Sequence, residues 1–273
     1  YDLRMWRDTW APSIARGIRH IGGLSLKPLT AKALQMGDEL HNRPNAASAM
    51  FANAVTVPMI AAGVASDDLV STIEYVTTHD LLYLGLSMAS AKSAADTARG
   101  IEYSTVVTAM ARNGHEFGIQ ISGLDGEWFV ATAPEIDGLF LPGFGQNDAG
   151  RDMGDSAITE TVGWGGFVLG GAPGILGLVG GTPEEALEYS RSMRDITVGL
   201  RPEYQIPALG FEGPATGIDI RKVVQTGTLP IIDTAIAHKD PGYPIIGAGL
   251  VRPPIECFQS ALRAFAKKYS DGE

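Results

Sequence analysis

The stretch GDELHNRPN, Gly37–Asn45, concentrates charged and amide side chains between two apolar, helix-forming segments. The pattern predicts the end of a helix, Leu29 to Arg43, which stops near the following proline. Residues three and four positions apart share a helix face, so Asp38, His41 and Asn42 are expected to point in one direction. Polar groups that project together from an apolar region are costly unless they bind a ligand or each other.

Two interpretations of this stretch remain open. In the first it is part of a functional site, with Asp38, Glu39 and His41 as catalytic groups and with Asn42 and Arg43 as substrate-binding groups. In the second it is a buried polar network, or an ion pair at a helix end between Glu39 and Arg43.

The composition of the whole chain excludes several classes of protein. The chain has 273 residues, a formal net charge of −10 and 19% charged residues, below the ordinary share of about 25%. Acidic chains without Lys/Arg runs are poor binders of nucleic acid and of anionic membranes. The longest apolar segment, Gly163 to Gly181, is broken by glycines and a proline, so we expect no membrane span. Cys257 is the one cysteine, which suits a reducing cytoplasm.

The first hundred residues have the periodicity of helices. Small side chains dominate several of these segments, and this indicates close helix packing. The predicted helices are Tyr1–Arg19, Leu29–Arg43, Ala46–Ala62, Ser66–Thr78 and Asp80–Arg99, the last closed by Gly100.

Strand patterns begin after Gly100 and alternate with helices. Three strands of a meander or mixed sheet are predicted at Ser104–Met110, His115–Ser122 and Glu127–Ala131, and two short buried strands at Thr228–Thr234 and Pro244–Leu250. Gly138 to Gly154 is predicted as a loop, and Asp155 as the cap of a helix that enters the Gly-rich segment. A capping box at Thr182 predicts a helix to Val198, and Pro253-Pro254 opens a last helix to Lys268.

These patterns predict an α/β fold of the α+β type. An amino-terminal helical region, residues 1–100, is expected to pack on a mixed α/β region with a β-sheet and helices, residues 101–273, in one compact unit. The low charge and the many small residues, including 34 glycines, favour broad buried surfaces and an oligomer over an isolated monomer.

Four further segments carry polar residues in apolar or Gly-rich surroundings. Arginine at a strand end beside a glycine suits a carboxylate or phosphate, and a helix start favours anions. A histidine after an apolar strand is a candidate base. The candidate residues are Arg112 and Asn113; Asp155, Ser156 and Thr159; Asp219 and Arg221; and His238, Lys239 and Arg252. Each group also has a structural alternative. Arg112 and Asn113 could belong to a hairpin turn, and Asp155 could be a helix cap. Asp219 and Arg221 could form a surface ion-pair patch, and His238 could be a structural histidine.

Several standard signatures are missing from the sequence. It has no Walker A motif, no G-x-S-x-G elbow, no H-E-x-x-H and no Rossmann fingerprint. We therefore predict no cofactor. A divalent metal held by Asp38, Glu39 and His41 would be chemically possible, but no second ligand cluster supports it, so no metal ligand is assigned.

Ordered motifs from Trp6 to Lys267 resemble one family. They are GDELHNR (37–43), STVVTAMARNG (104–114), FGIQISGL (117–124), WFVATAP (128–134), MGDSAITET (153–161), GIDIRKVVQTG (217–227), IIDTAIAHK (231–239) and IGAGLVRPPIECF (246–258). Together they resemble the YlbE-like family, a domain of unknown function that includes a subunit of an oxamate carbamoyltransferase. The resemblance implies a further amino-terminal region, for which disorder, cleavage and a separate subunit are all open. Pro44 between Arg43 and Asn45 departs from the family pattern.

The resemblance implies an enzyme subunit that acts on a small anionic amide, carbamoyl or ureido compound in the catabolism of purine nitrogen, such as that of allantoin, within a homo- or hetero-oligomer. Arg112, Arg221 and Arg252 would then bind anionic groups, and His41 or His238 would polarise a carbonyl or transfer a proton. Two alternatives remain. One is an amide or ring hydrolase, with or without a metal, and the other is a non-catalytic scaffold subunit.

Overall fold

The computed structural model describes residues 2–270. It confirms the α+β fold class, because helices fill the amino-terminal part of the chain and antiparallel sheets with helices fill the rest. The described part of the chain has no helix that is both long and apolar enough to cross a membrane.

Six helices precede the first strand. α1 (Asp2–Met5) continues through a π-helical turn (Trp6–Trp10) into α2 (Ala11–His20), and Tyr1 of the predicted first helix lies outside the described residues. The others are α3 (Lys27–Gln35), α4 (Asn45–Ala61), α5 (Ser66–Thr78) and α6 (Leu82–Asp96). The predictions for α4, α5 and α6 are confirmed within a few residues at their ends.

Residues 2–270 contain nine strands, which form three antiparallel sheets. β1 (Val107–Asn113), β2 (Glu116–Ile121), β3 (Phe129–Thr132) and β5 (Met153–Gly154) form a sheet of order β3-β2-β1-β5. β4 (Asp137–Phe140), β8 (Ile232–Ala237) and β9 (Ile245–Val251) form a second sheet of order β4-β9-β8. β6 (Thr197–Leu200) and β7 (Ala215–Ile218) form a two-stranded ribbon.

Five helices lie between and after these strands. They are α7 (Ile158–Thr161), α8 (Leu176–Val179), α9 (Pro183–Ser192), α10 (Ile220–Thr226) and α11 (Ile255–Ser270). The Gly-rich segment is buried as predicted over residues 163–170, whereas much of 171–181 is partly or fully exposed; it forms 3-10 turns over Gly165–Gly171. Its glycines allow close backbone approach; a Cβ on Gly166, for example, would overlap the Ile231 carbonyl.

Four predictions of local structure are wrong. The helix predicted to Arg43 ends at Gln35, and the predicted loop 138–154 contains β5 and part of β4. Asp155 does not cap a helix, because α7 is a single turn that begins after Ala157 and has no side-chain cap. The helix that begins with the Thr182 capping box stops at Ser192, and the chain then enters β6.

Two large apolar clusters form the core. One lies mainly among the helices α2 to α6, and the other joins the sheets to α9, α10 and α11. The Gly-rich segment contributes to both, with Phe167 and Leu169 in the sheet cluster and Trp164 and Val168 in the helical cluster. The backbone N–H and C=O groups around these four residues are therefore buried between the helical cluster and the sheet cluster.

Candidate functional site around His41

The stretch Gly37–Arg43 is a tight turn, so the helix faces predicted for it do not exist. Gly37 and Leu40 both have positive φ, 93° and 70°, which an α-helix does not allow. The Glu39 carboxylate accepts the backbone N–H of His41 at 2.8 Å and also that of Arg43, so it closes the turn. This local side-chain bonding competes with the helix and prevails over it.

Asp38 is the cap of the next helix. Its two carboxylate oxygens accept the backbone N–H groups of Ala46 at 3.2 Å and Ala47 at 2.8 Å, in the first turn of α4. Burial raises the pKa of Asp38, and these two hydrogen bonds oppose the effect. Asp38 therefore bonds to α4, whereas the His41 side chain contacts a different set of residues.

His41 lies against two carboxyl groups from distant parts of the chain. Its Nδ1 atom is 2.8 Å from Oε1 of Glu160, on α7, and 2.9 Å from Oδ1 of Asp233, on β8. All three side chains are buried, with exposed fractions of 2%, 0% and 0%. We call these residues, together with the equally buried Glu39, the His41 cluster.

The backbone of the Gly-rich segment shapes this cluster. Oε1 of Glu160 also accepts the Gly166 N–H at 3.0 Å, and the Gly165 N–H donates to the Glu39 carbonyl at 2.7 Å. Gly165 has a φ of 59°, and a Cβ there would collide with Oε1 of Glu160 and lie 3.0 Å from Oδ1 of Asp233. Glycine is therefore required at this position on both counts.

The charges of the cluster shift its pKa values strongly. Burial and the charge of Asp233 raise the pKa of Glu39 well above its usual range, and burial also raises that of Glu160. Burial alone would lower the pKa of His41, but the carboxylates of Glu160 and Asp233 raise it well above its ordinary value. Burial raises the pKa of Asp233, but the charge of His41 and the hydrogen-bonding groups of His41, Glu39 and Glu160 together bring it below its ordinary value.

Arg112 is the centre of a second buried network. Its Nε donates to Asp152 at 2.9 Å, and its Nη2 donates to the Thr234 hydroxyl at 2.7 Å. Its Nη1 donates to the Gly154 carbonyl at 3.2 Å and to the Ser156 hydroxyl at 3.3 Å. Each nitrogen of the guanidinium thus has a partner within the protein. Thr234 follows Asp233 on β8, so this network adjoins the His41 cluster.

A cavity of about 400 Å³ opens beside the cluster. Asn42 follows His41 in the chain, and Ala235 lies on the same side of β8 as Asp233; both line the cavity. The remaining lining is largely apolar, with leucines from β4, α8 and nearby loops. The side-chain nitrogen of Asn42 is buried and has no hydrogen-bond acceptor among residues 2–270, so one donor beside the cavity is unsatisfied.

The structure brings together some of the residues predicted for the site. Glu39, His41 and Asn42 are at or beside the cluster, and Thr159 donates to the Ser156 carbonyl at 2.8 Å while its hydroxyl lies 3.0 Å from Glu160 Oε2. Arg43 stays near, because its guanidinium donates to the Gly37 carbonyl at 3.2 Å and packs over Gly174. Its side chain is 35% exposed.

The other predicted site residues lie apart from the cluster or face away from it. Asp155 is exposed and lines a different cavity with Lys92 and Met110. Asn113 closes the β1–β2 hairpin by accepting two backbone N–H groups. Asp219 caps α10 and pairs with Arg221 at 2.7 Å. Arg252 lies over the ring of Tyr189.

His238 occupies the β8–β9 hairpin, not a βα-type loop. Its ring stacks on Tyr243 with 3.9 Å between ring centroids, and its Nδ1 accepts the Asp240 N–H at 2.9 Å. Lys239 donates to the Asn147 carbonyl at 2.7 Å. His238 lies five positions after Asp233, which corresponds to about 16 Å along an extended strand.

Three acidic residues of these networks, and Thr234 beside them, were not predicted from the sequence; the acidic residues are Glu160, Asp233 and Asp152. Asp233 had a signal, because it is a carboxylate inside the apolar run that precedes the β8–β9 hairpin. Glu160 and Asp152 lie in the same segment as the predicted Asp155, Ser156 and Thr159, but the local pattern did not mark them as its buried members, because their burial depends on the Gly-rich segment and on Arg112.

Comparison with known proteins gives one family. Residues 1–156 match the family described as oxamate carbamoyltransferase subunit AllG. The chain is 40% identical over 271 residues to the oxamate carbamoyltransferase subunit AllG of Escherichia coli (strain K12), covering 98% of this chain and 65% of that protein. It is 47% identical over 267 residues to the uncharacterized protein YahG of the same strain, covering 98% of this chain and 57% of that protein.

A solved structure shares the fold. It is a crystal structure of a conserved protein of unknown function from Enterococcus faecalis V583, with a TM-score of 0.94 and 45% sequence identity over 97% of this chain and 64% of that chain. The chain thus spans about three fifths of the length of these relatives. The resemblance to an oxamate carbamoyltransferase subunit is confirmed, whereas the YlbE-like name stays a prediction.

Proposed function

Because this chain belongs to the family of the oxamate carbamoyltransferase subunit AllG, we propose that it is part of a carbamoyltransferase subunit that acts on a small anionic amide or carbamoyl compound in nitrogen catabolism. The observation that carries this proposal is the 40% identity to AllG along 98% of the chain. The buried, unpaired thiol of Cys257 supports a reducing compartment such as the cytoplasm.

The proposed reaction places specific demands on the site. The amide nitrogen of the acceptor attacks the carbonyl carbon of a carbamoyl donor such as carbamoyl phosphate, the nitrogen loses a proton, and the C–O bond to phosphate breaks. The site must therefore hold two anions, polarise one carbonyl and exclude water. Each demand can be assigned to a feature near His41.

We assign substrate binding to the cavity beside the His41 cluster. Asn42 contributes an unpartnered NH₂ donor for a substrate oxygen, and its neighbour Arg43 is the partly exposed cation next to it in the chain. Arg112 has every guanidinium nitrogen bonded within the protein, and Arg221 and Arg252 lie apart from the cluster, so Arg43 suits the anion-binding role better than they do. The His41 cluster, which adjoins the cavity through Asn42 and Ala235, is assigned the polarising role.

The test is an assay of the full-length protein with carbamoyl phosphate and oxamate, alone and together with its co-purifying partner chains. Asn42→Ala is expected to lower kcat/KM at least tenfold, because a donor to the substrate is lost without any loss of a bond within the protein. Asn53→Ala, the same change at an exposed position of α4, is the matched control and should leave the rate unchanged. Full activity of Asn42→Ala would overturn the assignment to this cavity.

One observation favours a second candidate, a non-catalytic scaffold subunit. The carboxyl groups and imidazole of the His41 cluster are almost completely buried, which suits a structural centre as well as a reactive one. Activity that appears only with partner chains, and that tolerates substitution at both Asn42 and His41, would support the scaffold. If the protein instead hydrolyses an amide, and dialysis against a metal chelator abolishes this hydrolysis, the hydrolase alternative is favoured.

A further inference from the structure

We propose that His41, Glu160 and Asp233 bind one divalent transition-metal ion. The proposal rests on the geometry of these side chains and does not depend on the reaction proposed above. Each of the three offers one ligand atom, and these atoms all lie within 4.8 Å of one another. The three residues come from the Gly37–Arg43 turn, from α7 and from β8. They are far apart in the sequence, so the fold brings them together.

The spacing of the ligand atoms suits a shared ion. Nδ1 of His41 is 2.8 Å from Oε1 of Glu160 and 2.9 Å from Oδ1 of Asp233. Adjacent ligands of an octahedral ion with bonds of about 2.1 Å are about 3.0 Å apart, and those of a tetrahedral ion about 3.4 Å. Small side-chain movements would therefore place an ion between the three atoms.

Asp233 gives an independent reason to expect a ligand. It is completely buried, yet neither of its carboxylate oxygens has an assigned hydrogen-bond donor within the described residues. Nδ1 of His41 lies 2.9 Å from Oδ1 of Asp233 and 2.8 Å from Oε1 of Glu160, and this nitrogen carries at most one hydrogen, so it cannot donate fully to both carboxylates. A buried carboxylate without a donor is costly, and an ion between Asp233 and His41 would satisfy it.

The charge balance of the His41 cluster points the same way. Three buried carboxyl groups face one imidazole, and no Lys or Arg nitrogen lies within 4 Å of the Glu39, Glu160 or Asp233 carboxylates in residues 2–270. Full ionisation would leave an excess of negative charge in the interior, which is strongly unfavourable. A divalent cation compensates it, and the competing solution is a proton held between two of the carboxyl groups.

The surroundings of the site fit a small ion. Gly165 has no Cβ where one would overlap Oε1 of Glu160 and approach Oδ1 of Asp233, so the backbone passes close without filling the space between the ligands. The Gly166 N–H donates to Oε1 of Glu160 at 3.0 Å and orients this carboxyl group. One imidazole with carboxylates suits Zn²⁺ or Mn²⁺ better than Ca²⁺ or Mg²⁺, which prefer oxygen ligands alone.

The experiment measures metal binding by the full-length, tag-free protein. After dialysis against a chelator and removal of the chelator, the protein is titrated by calorimetry with Zn²⁺ and, separately, with Mn²⁺. We expect one site per chain for at least one of the two ions, and a rise in the thermal unfolding midpoint on addition of that ion. No binding of either ion and an unchanged midpoint would overturn the proposal in favour of a shared proton.

Matched variants locate the site. Asp233→Asn and Glu160→Gln keep the size of each side chain and are expected to weaken binding at least tenfold. Glu188→Gln, an exposed carboxylate on α9, should bind as the unchanged protein does. Binding that is equally strong in all three variants would place the ion elsewhere and would overturn the proposal.

A measurement on the unsubstituted protein covers the case in which the variants do not fold. Crystals grown with the ion that binds, measured at its absorption edge, should give an anomalous peak within bonding distance of His41 Nδ1, Glu160 and Asp233. A peak found only at other positions would refute the site. Because these readouts do not use turnover, a failed carbamoyl transfer assay leaves the metal proposal standing, and the reverse also holds.

Discussion

At the scale of single residues, Asp38 explains why a sequence rich in helix formers does not continue as a helix. Its carboxylate reaches over the intervening turn to the first N–H groups of α4, which have no partner inside their own helix. Glu39 does the same for the turn itself through the N–H groups of His41 and Arg43. Two adjacent acids thus fix the chain direction between α3 and α4.

We predict that Asp38→Ala lowers the free energy of unfolding by about 1–2 kcal/mol, the usual cost of a lost helix cap. Urea denaturation followed by circular dichroism measures this loss. Asp38→Asn keeps one oxygen acceptor and should lose less. If Asp38→Ala unfolds at the same urea concentration as the unchanged protein, the cap contributes nothing and the assignment is wrong.

The sequence predicted the importance of these residues better than their geometry. An acid-rich, amide-rich stretch between apolar segments indicated a buried polar arrangement, and the structure contains one at Glu39 and His41. The helix assigned to it was wrong because periodicity counts apolar positions and does not register side chains that bond to their own backbone. A positive φ at a leucine, as at Leu40, is also invisible to propensity.

At the scale of elements, Arg112 joins three separate pieces of the fold. It starts from β1 and bonds to Asp152 before β5, to Ser156 before α7 and to Thr234 on β8. The ion pair with Asp152 is fully buried on both sides. Removing one partner of such a pair leaves the other charge uncompensated in the interior.

We predict that Arg112→Ala lowers the free energy of unfolding by about 3–5 kcal/mol. The Arg112→Ala/Asp152→Ala double variant should lose less than the sum of the two single losses, since no lone charge remains. Arg99→Ala, which breaks the exposed pair with Asp125, is the matched control with a loss of about 1 kcal/mol or less. Strict additivity in the cycle would show that Arg112 and Asp152 are not coupled.

Regular elements could be predicted from the sequence, whereas their pairing could not. β1, β2 and β3 have β-branched or alternating residues, and α9 has a Thr182 capping box that the structure contains. β5 has two residues and β4 four, too few for any periodicity, and each forms only because a distant strand pairs with it. The candidate site could not be predicted completely for the same reason. Glu160 and Asp233 reach His41 only through contacts between segments that are distant in the sequence.

At the scale of the whole molecule, Cys257 reports on the integrity of the core. It lies on α11 in the sheet cluster, has no exposed surface, and donates its S–H to the Phe117 carbonyl at 3.4 Å. Burial raises the pKa of this thiol to about 12. The thiolate, which is the reactive form, is therefore rare in the folded state at neutral pH.

We predict that iodoacetamide does not alkylate Cys257 in the folded protein at pH 8 and alkylates it at the urea concentration where the chain unfolds. Mass spectrometry measures the labelled fraction, and Cys257→Ala should remain unlabelled throughout. Because the folded pKa lies above the unfolded one, this thiol favours folding below about pH 8.5 and progressively less above it. Rapid labelling without urea would contradict the burial of α11 on the sheet.

The two partners in the His41–Glu160 contact are 119 positions apart, and Asp233 joins them from still further along the chain. During synthesis, His41 and Glu160 leave the ribosome before Asp233, so the three groups cannot meet until β8 has been made. Until then the nascent chain holds separate, hydrated ionisable groups, so the amino-terminal helices cannot reach their final interior on their own. A chain that ends before β8 would consequently lack Asp233, and the turn that carries His41 would lose one of its two carboxyl contacts.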